Sequence, residues 1–227
     1  MTALITTLID RVDNFEAVRD NLAAILLVEQ QAQRALATAA GKNPELWRLR
    51  IFSERSNPWE VFQDPDASDY DAAPLINVSF DSDTFDLGTG NVVERQKATA
   101  SFNVDCYAQV CSADKTVGHV LGDEEASREA QRAARLARSI LMAGAYTYLG
   151  MRGVVWRRWL QSRTVFRPQS GDQSIQHVVA VRLVFQVEFN EFSPQVEGQI
   201  LELVSTTVTR ATTGELLLAS VDTVPGV

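Results

Sequence analysis

The strongest constraint on this chain is a run in which His177, Val179, Val181, Leu183, Phe185, Val187 and Phe189 take every second position, with Gln176, Arg182, Gln186 and Glu188 among the residues between them. Successive strand side chains point to opposite faces, so such a run is a strand with one buried face and one polar face. Its length of about fifteen residues far exceeds the usual five or six. A chain that contains it must form an extended hairpin around it or pair it across subunits.

Neighbours for that strand are readable. Residues 154–166 carry Trp156, Trp159, Val165 and Phe166, and Gly171 marks a turn into the long strand. Ile76, Val78 and Phe80 alternate with Asn77 and Ser79, and Ala98, Ala100, Phe102, Val104 and Cys106 alternate with Thr99, Ser101, Asn103 and Asp105. Between these two strands, residues 81–96 with Gly88 and Gly90 are too many for a tight turn and predict a projecting loop or hairpin, a candidate contact surface. Residues 47–61 read as a strand that ends at Asn57-Pro58, and the acidic stretch 64–71 as an exposed loop.

Two segments have the helical period. Leu4, Ile5, Leu8 and Val12 make a first short stripe; Asp13 with Glu16 forms a capping box that restarts the helix; Phe15, Val18, Leu22, Ile25 and Leu26 continue it until Gly41 and Pro44. Asp123 is read as the cap of a second helix whose Ala126, Ala130, Ala133, Ala134, Ala137, Ile140 and Leu141 form one stripe of mostly small residues, suited to close packing on a sheet. Residues 200–220 predict a separate hairpin turning at Thr213-Gly214, an arm that needs a docking surface. The expected fold class is therefore α+β: a mainly antiparallel sheet covered by helices, with a C-terminal β-hairpin arm. Its parts are a helical segment 1–45, a core 46–194 and the arm 195–227.

Chemistry is sparse. The formal net charge of -8 disfavours tight binding to a phosphate backbone, and residues 1–12 have no basic region leading into an apolar core. The longest apolar run, residues 22–28, is far short of the roughly 20 residues that a membrane span needs. The two cysteines, Cys106 and Cys111, are expected as free thiols, since two ligands do not close a zinc site. Asp81, Asp83 and Asp86 begin like a calcium loop, but Phe85 takes a ligand position and Val92 stands where a bidentate Glu is required. Of the two histidines, His177 falls on the apolar face of the long strand and His119 in a Gly-flanked loop with no serine elbow nearby, so a small hydrolase is only a distant alternative. The carboxylate pairs Asp123/Glu124 and Glu188/Glu191 read as a helix cap and a solvated face. No catalytic residue, cofactor or metal is expected.

One cluster reverses the acidic balance: Arg152, Arg157, Arg158, Arg163 and Arg167, interleaved with Trp156, Trp159 and Phe166. It could read single-stranded nucleic acid by stacking and charge, form a solvated sheet face, or, the favoured reading, pair with acidic loops such as residues 64–71 of an adjoining subunit; reversing charge at Arg157 and Arg158 is then expected to disturb assembly more than folding. Asp81, Asp83, Asp86, Glu94 and Arg95 of the projection complete the candidate interface residues.

The order helix, strand, strand pair with a protruding loop, covering helix and two long strands carries the motifs Pro74-Leu75-Ile76-Asn77-Val78, Phe102-Asn103-Val104-Asp105-Cys106-Tyr107 and Phe185-Gln186-Val187-Glu188-Phe189. In this it resembles the tail-terminator (tail-completion) proteins of long-tailed bacteriophages, over roughly residues 4–192. The resemblance implies a structural virion protein without enzymatic activity. It would form a homo-oligomeric ring, typically of six subunits, that caps the head-proximal end of the tail tube, stops its growth and joins it to the neck. The implied partners are the tail tube protein, a neck or connector protein and, in a contractile tail, the sheath; DNA would pass through the lumen without specific binding. The implied location is the virion tail and neck, with assembly in the host cytoplasm. Another head-tail connector, neck or baseplate subunit is the alternative. The longer helical N-terminus and the arm 195–227 depart from smaller members of that family.

Overall fold

The computed structural model describes residues 8, 10–62, 73–86, 88, 95–111, 113–115, 118–168, 176–192, 203–209 and 216–223. The chain divides into two compact units, Leu8–Ser193 and a second that contains the C-terminal hairpin. The first unit holds α1 (Asn14–Ala39), β1 (Arg50–Ser53), β2 (Leu75–Phe85), β3 (Arg95–Cys111), the small hairpin β4 (Ala113–Lys115) and β5 (Gly118–Val120), α2 (Gly122–Leu141), β6 (Val155–Phe166) and β7 (Gln176–Phe192). The second holds β8 (Leu203–Thr209) paired antiparallel with β9 (Leu216–Thr223), the hairpin expected there. The fold class is α+β.

Five strands form the main sheet in the order β1-β2-β3-β7-β6, antiparallel throughout except for the parallel pair β1-β2. The long strand, β7, has 17 residues and pairs with β3 in unbroken register from Arg95↔Phe192 to Cys111↔Gln176. Its length is thus matched within the chain, and no second subunit is needed to satisfy this edge. β2 also runs farther than the alternation suggested: Ser82, Asp83, Thr84 and Phe85 remain paired with Ser101, Ala100, Thr99 and Ala98 after a bulge past Phe80. The first part of the expected projection, through Phe85, is therefore ladder, so the strand pair extends outward as a hairpin arm.

Both helices pack on one face. Val18, Leu22 and Leu26 of α1 and Ala126, Ala130, Ala133, Ala137 and Leu141 of α2 bury against Phe102, Val104, Phe185 and Val187. The alanines let α2 approach β3 and β7 closely. Phe15 extends the core through Phe80 (4.6 Å between centroids) to Phe102 (5.9 Å). The capping box at Asp13 and Glu16 forms, with the Asp13 amide donating to Glu16 Oε2 at 3.1 Å. Gly41, at φ 66°, closes the other end, where the Lys42 amide donates to the Ala37 carbonyl at 2.8 Å.

Several expectations are corrected. Leu8 and Val12 are not helical and are 88% and 60% exposed, because α1 starts at its box. Residues 47–61 contain only the four-residue β1, which stops where Glu54 turns to φ 53° and the Asn77 side chain takes both the amide and the carbonyl of Arg55 (3.1 Å each). Pro58–Phe62 is a 3-10 turn that lays Phe62 over Leu75, Tyr107, Val178 and Ala180, a second small core on the far face of the sheet. Asp123 is not the cap of α2; Leu121 holds that position, and the Asp123 carboxylate instead accepts from the Glu124 amide at 2.9 Å.

Candidate assembly surfaces

Away from the helices the sheet exposes a polar face organised in rows across β3 and β7. At the inner end Asp105, 2% exposed, accepts two hydrogen bonds from Arg182, Nε to Oδ1 and Nη2 to Oδ2, each 2.7 Å, and a third from the Tyr107 hydroxyl at 3.2 Å. Arg182 also stacks over Phe166 at 5.3 Å. Burial, and then the neighbouring Asp105 charge, push the Tyr107 phenol well up, so it stays a donor. One row on, Asn103 donates to Asp81 at 3.2 Å; next, Gln186 bridges Ser101 (3.3 Å) and Gln161 (2.7 Å).

The outermost row centres on Glu188, 6% exposed, held by Lys97 Nζ at 2.6 Å and Arg157 Nε at 2.7 Å. Burial pushes this carboxyl up, but hydrogen bonds from Lys97 and Arg157, with their charges, outweigh it and hold the pKa below the usual range. A lowered folded-state pKa contributes stability above the unfolded value, near 4.3, that disappears as pH falls through the folded value. Denaturant titrations from pH 7 to pH 3 should therefore show Glu188→Gln less stable than the native chain at neutral pH and the gap closing below about pH 4. The sequence reading of Glu188/Glu191 as a solvated face is corrected: the Glu191 carboxylate is half-buried at the start of α1, where it accepts the Asn14 amide at 3.1 and 3.0 Å. Burial raises its pKa, and the backbone amides of Asn14, Phe192 and Phe15 offset part of that rise.

The arginine cluster is not one patch. Arg157 lies on the polar face, with its guanidinium 5.2 Å over Trp159. Arg158, half-buried on the helix side, donates to the carbonyls of Leu141 and Ala143 at 2.6 Å each and of Thr147 at 3.4 Å. These oxygens end α2 and open the following segment, so the side chain caps a helix C-terminus, which a cation favours. Arg152 and Arg163 are exposed, and Arg167 reaches Asp123 at 3.7 Å. Arg158 thus has a part in holding the fold that the reading of the cluster as an assembly patch did not include. Arg158→Ala should cost about 1.5–3 kcal/mol, the loss of charged hydrogen bonds to the carbonyls that end α2 and open the next segment, read as a lower urea midpoint.

On the hairpin arm, Asp81 and Asp86 are exposed and Asp83 half-buried; Asp86 Oδ1 accepts the Gly88 amide at 2.9 Å. The bulge past Phe80 leaves Asp81 on the polar face beside Asn103 and sets Asp83 opposite Ala100 on the other, so the two carboxylates do not encircle an ion. Arg95 pairs through its backbone with Phe192, while its side chain, Glu94 and residues 64–71 lie outside the described residues, as do the side chains of His119, His177 and Cys111. Cys106 is a buried free thiol, pushed up by burial. Among the described residues no group of three or more His, Cys, Asp or Glu is placed to hold a metal, and no helix is long and apolar enough to cross a membrane. No family model matches the chain, and comparison with curated proteins gives no match either.

Proposed function

We propose that this chain is a structural virion subunit of the tail-terminator type, which assembles into a ring, six-fold by the family's habit, on the head-proximal end of a phage tail tube, arrests tube growth and joins the tail to the neck. The observation that carries the reading is the architecture itself: α1, β1, the long β2-β3 arm, α2 and the β6-β7 pair follow the order that the sequence resembles, on a sheet with one face covered by helices and the other lined by ordered polar rows. Such a face suits an assembly protein, since its side chains are already held by one another and can meet a partner without reorganising. The tube protein, a neck or connector protein and, in a contractile tail, the sheath are the proposed partners. The negative net charge favours passage of DNA through a lumen without adhesion.

The reading is tested by mixing the purified chain with growing tail tubes and imaging by negative-stain electron microscopy. A ring at one tube end, with growth arrested at stoichiometric addition, is the expected result. Tubes that grow unchecked with bare ends exclude the terminator role and redirect the search to the portal side of the neck.

A further inference from the structure

α1 and α2 leave an open groove of about 320 Å³ between them. Its lining is largely apolar, from Leu136, Ile140, Ala143 and Ala145, with Gln33, Ser139 and Glu29 as polar members. The Tyr146 hydroxyl donates to Glu29 Oε1 at 2.5 Å, which fixes the carboxylate and leaves Oε2 to accept from an incoming donor. Leu36, seven residues beyond Glu29 and so on the same helix face, is 61% exposed, and Met142 at the end of α2 is 40% exposed. α1 carries apolar residues round much of its circumference, with Leu27 and Val28 also exposed, whereas α2 is sharply two-sided. A helix apolar on its outer face calls for a cover.

A fitting knob occurs elsewhere on the same chain. In β6, Val155 pairs with Phe189 and Arg157 with Glu188, so Trp156 is the extra residue of a β-bulge on the free edge strand of the sheet. Bulges at edges re-aim side chains, and here the indole is turned out of the ladder and left 55% exposed. Arg152, in the turn just before it, is exposed as well. An indole offers a broad apolar surface and a single N–H donor, and a guanidinium adds positive charge; the groove offers apolar walls and a carboxylate acceptor.

We infer that Trp156 of one copy inserts into the α1-α2 groove of a second copy, its indole N–H directed at Glu29 and Arg152 beside it. The knob and the groove are different patches of the molecule, so the contact is a head-to-tail one that can propagate from copy to copy and close a ring. Tryptophan and arginine dominate interface energies when they fill such pockets. This contact deepens the ring reading above and supplies its subunit junction.

Sedimentation of the full chain across a wide concentration range tests it. The native chain should form oligomers, and Trp156→Ala should weaken association at least tenfold. Glu29→Arg should do the same from the groove side; Ala145→Phe, which fills the groove from an exposed position and leaves the Glu29-Tyr146 bond in place, should reproduce it if Glu29→Arg perturbs the helix pair. An equimolar mixture of Trp156→Ala with Ala145→Phe retains one knob and one groove and should stop at dimers. A native dimer that both variants split would keep the contact and remove the ring. Native-like oligomers in all variants would overturn the contact and leave the ring reading standing, and a native chain that stays monomeric throughout would overturn the contact, with tube-end imaging then deciding the function separately.

Discussion

Replacing Arg182 with Met should destabilise the first unit by about 3 kcal/mol, near the lower end for breaking a buried ion pair because the guanidinium edge is partly open to water. The loss comes less from the missing attraction than from what stays behind. Asp105 sits 2% exposed between the two central strands, and without Arg182 its carboxylate keeps only the Tyr107 hydroxyl and has no counter-charge. Adding Asp105→Asn to the Met variant removes the stranded charge and should recover much of the loss. Urea unfolding of the single and double variants reads both effects. A single variant within about 1 kcal/mol of the native chain would show that water, not Arg182, compensates Asp105.

Phe185→Ala is the other large effect, expected at about 3–5 kcal/mol. Phe185 is fully buried at the middle of the sheet, opposite Phe102 on one side and Leu160 on the other, beneath the helix layer. The space it leaves is walled by strands paired along their length and by alanines on α2, which have no longer rotamers with which to fill it. The site therefore collapses poorly. The measured free energy should exceed that of Leu160→Ala, since Leu160 is only half-buried on the edge strand.

The parts of this fold that were legible in the sequence are those governed by local periodicity. β7, β3 and α2 each repeat one pattern over many residues, and the capping box at Asp13 is a four-residue signal. What escaped depends on contacts distant in sequence. Residues 47–61 look like a strand locally, yet Asn77 closes the backbone after Ser53 and Phe62 is drawn over the far face of the sheet, and neither event is encoded nearby. The extent of β2 through Phe85 was hidden because Asp81 to Asp86 is poor in strand formers; pairing with β3 overrides that preference. The arginine cluster was visible as composition only. Its division among Glu188, the carbonyls that end α2 and open surface depends on which sheet face each residue occupies, and the bulges of β6 shift that parity. The ion pair of Asp105 and Arg182 could be found only with the register of β3 on β7 in hand. The two residues lie on the polar phases of the two clearest strands, which is the one signal that marked them.

The pairing of β3 with β7 also sets a temporal order on the molecule. Its two halves, residues 95–111 and 176–192, are separated by α2 and by β6, so the widest seam of the sheet closes only after nearly all of the first unit has been made. Until then the β2-β3 arm presents the full length of β3 as an unsatisfied backbone edge. Sheets built from such non-local pairs form slowly, and an open edge of that length is a template for any other strand it meets. During synthesis the first unit is thus most vulnerable to wrong partners just before its last long strand emerges.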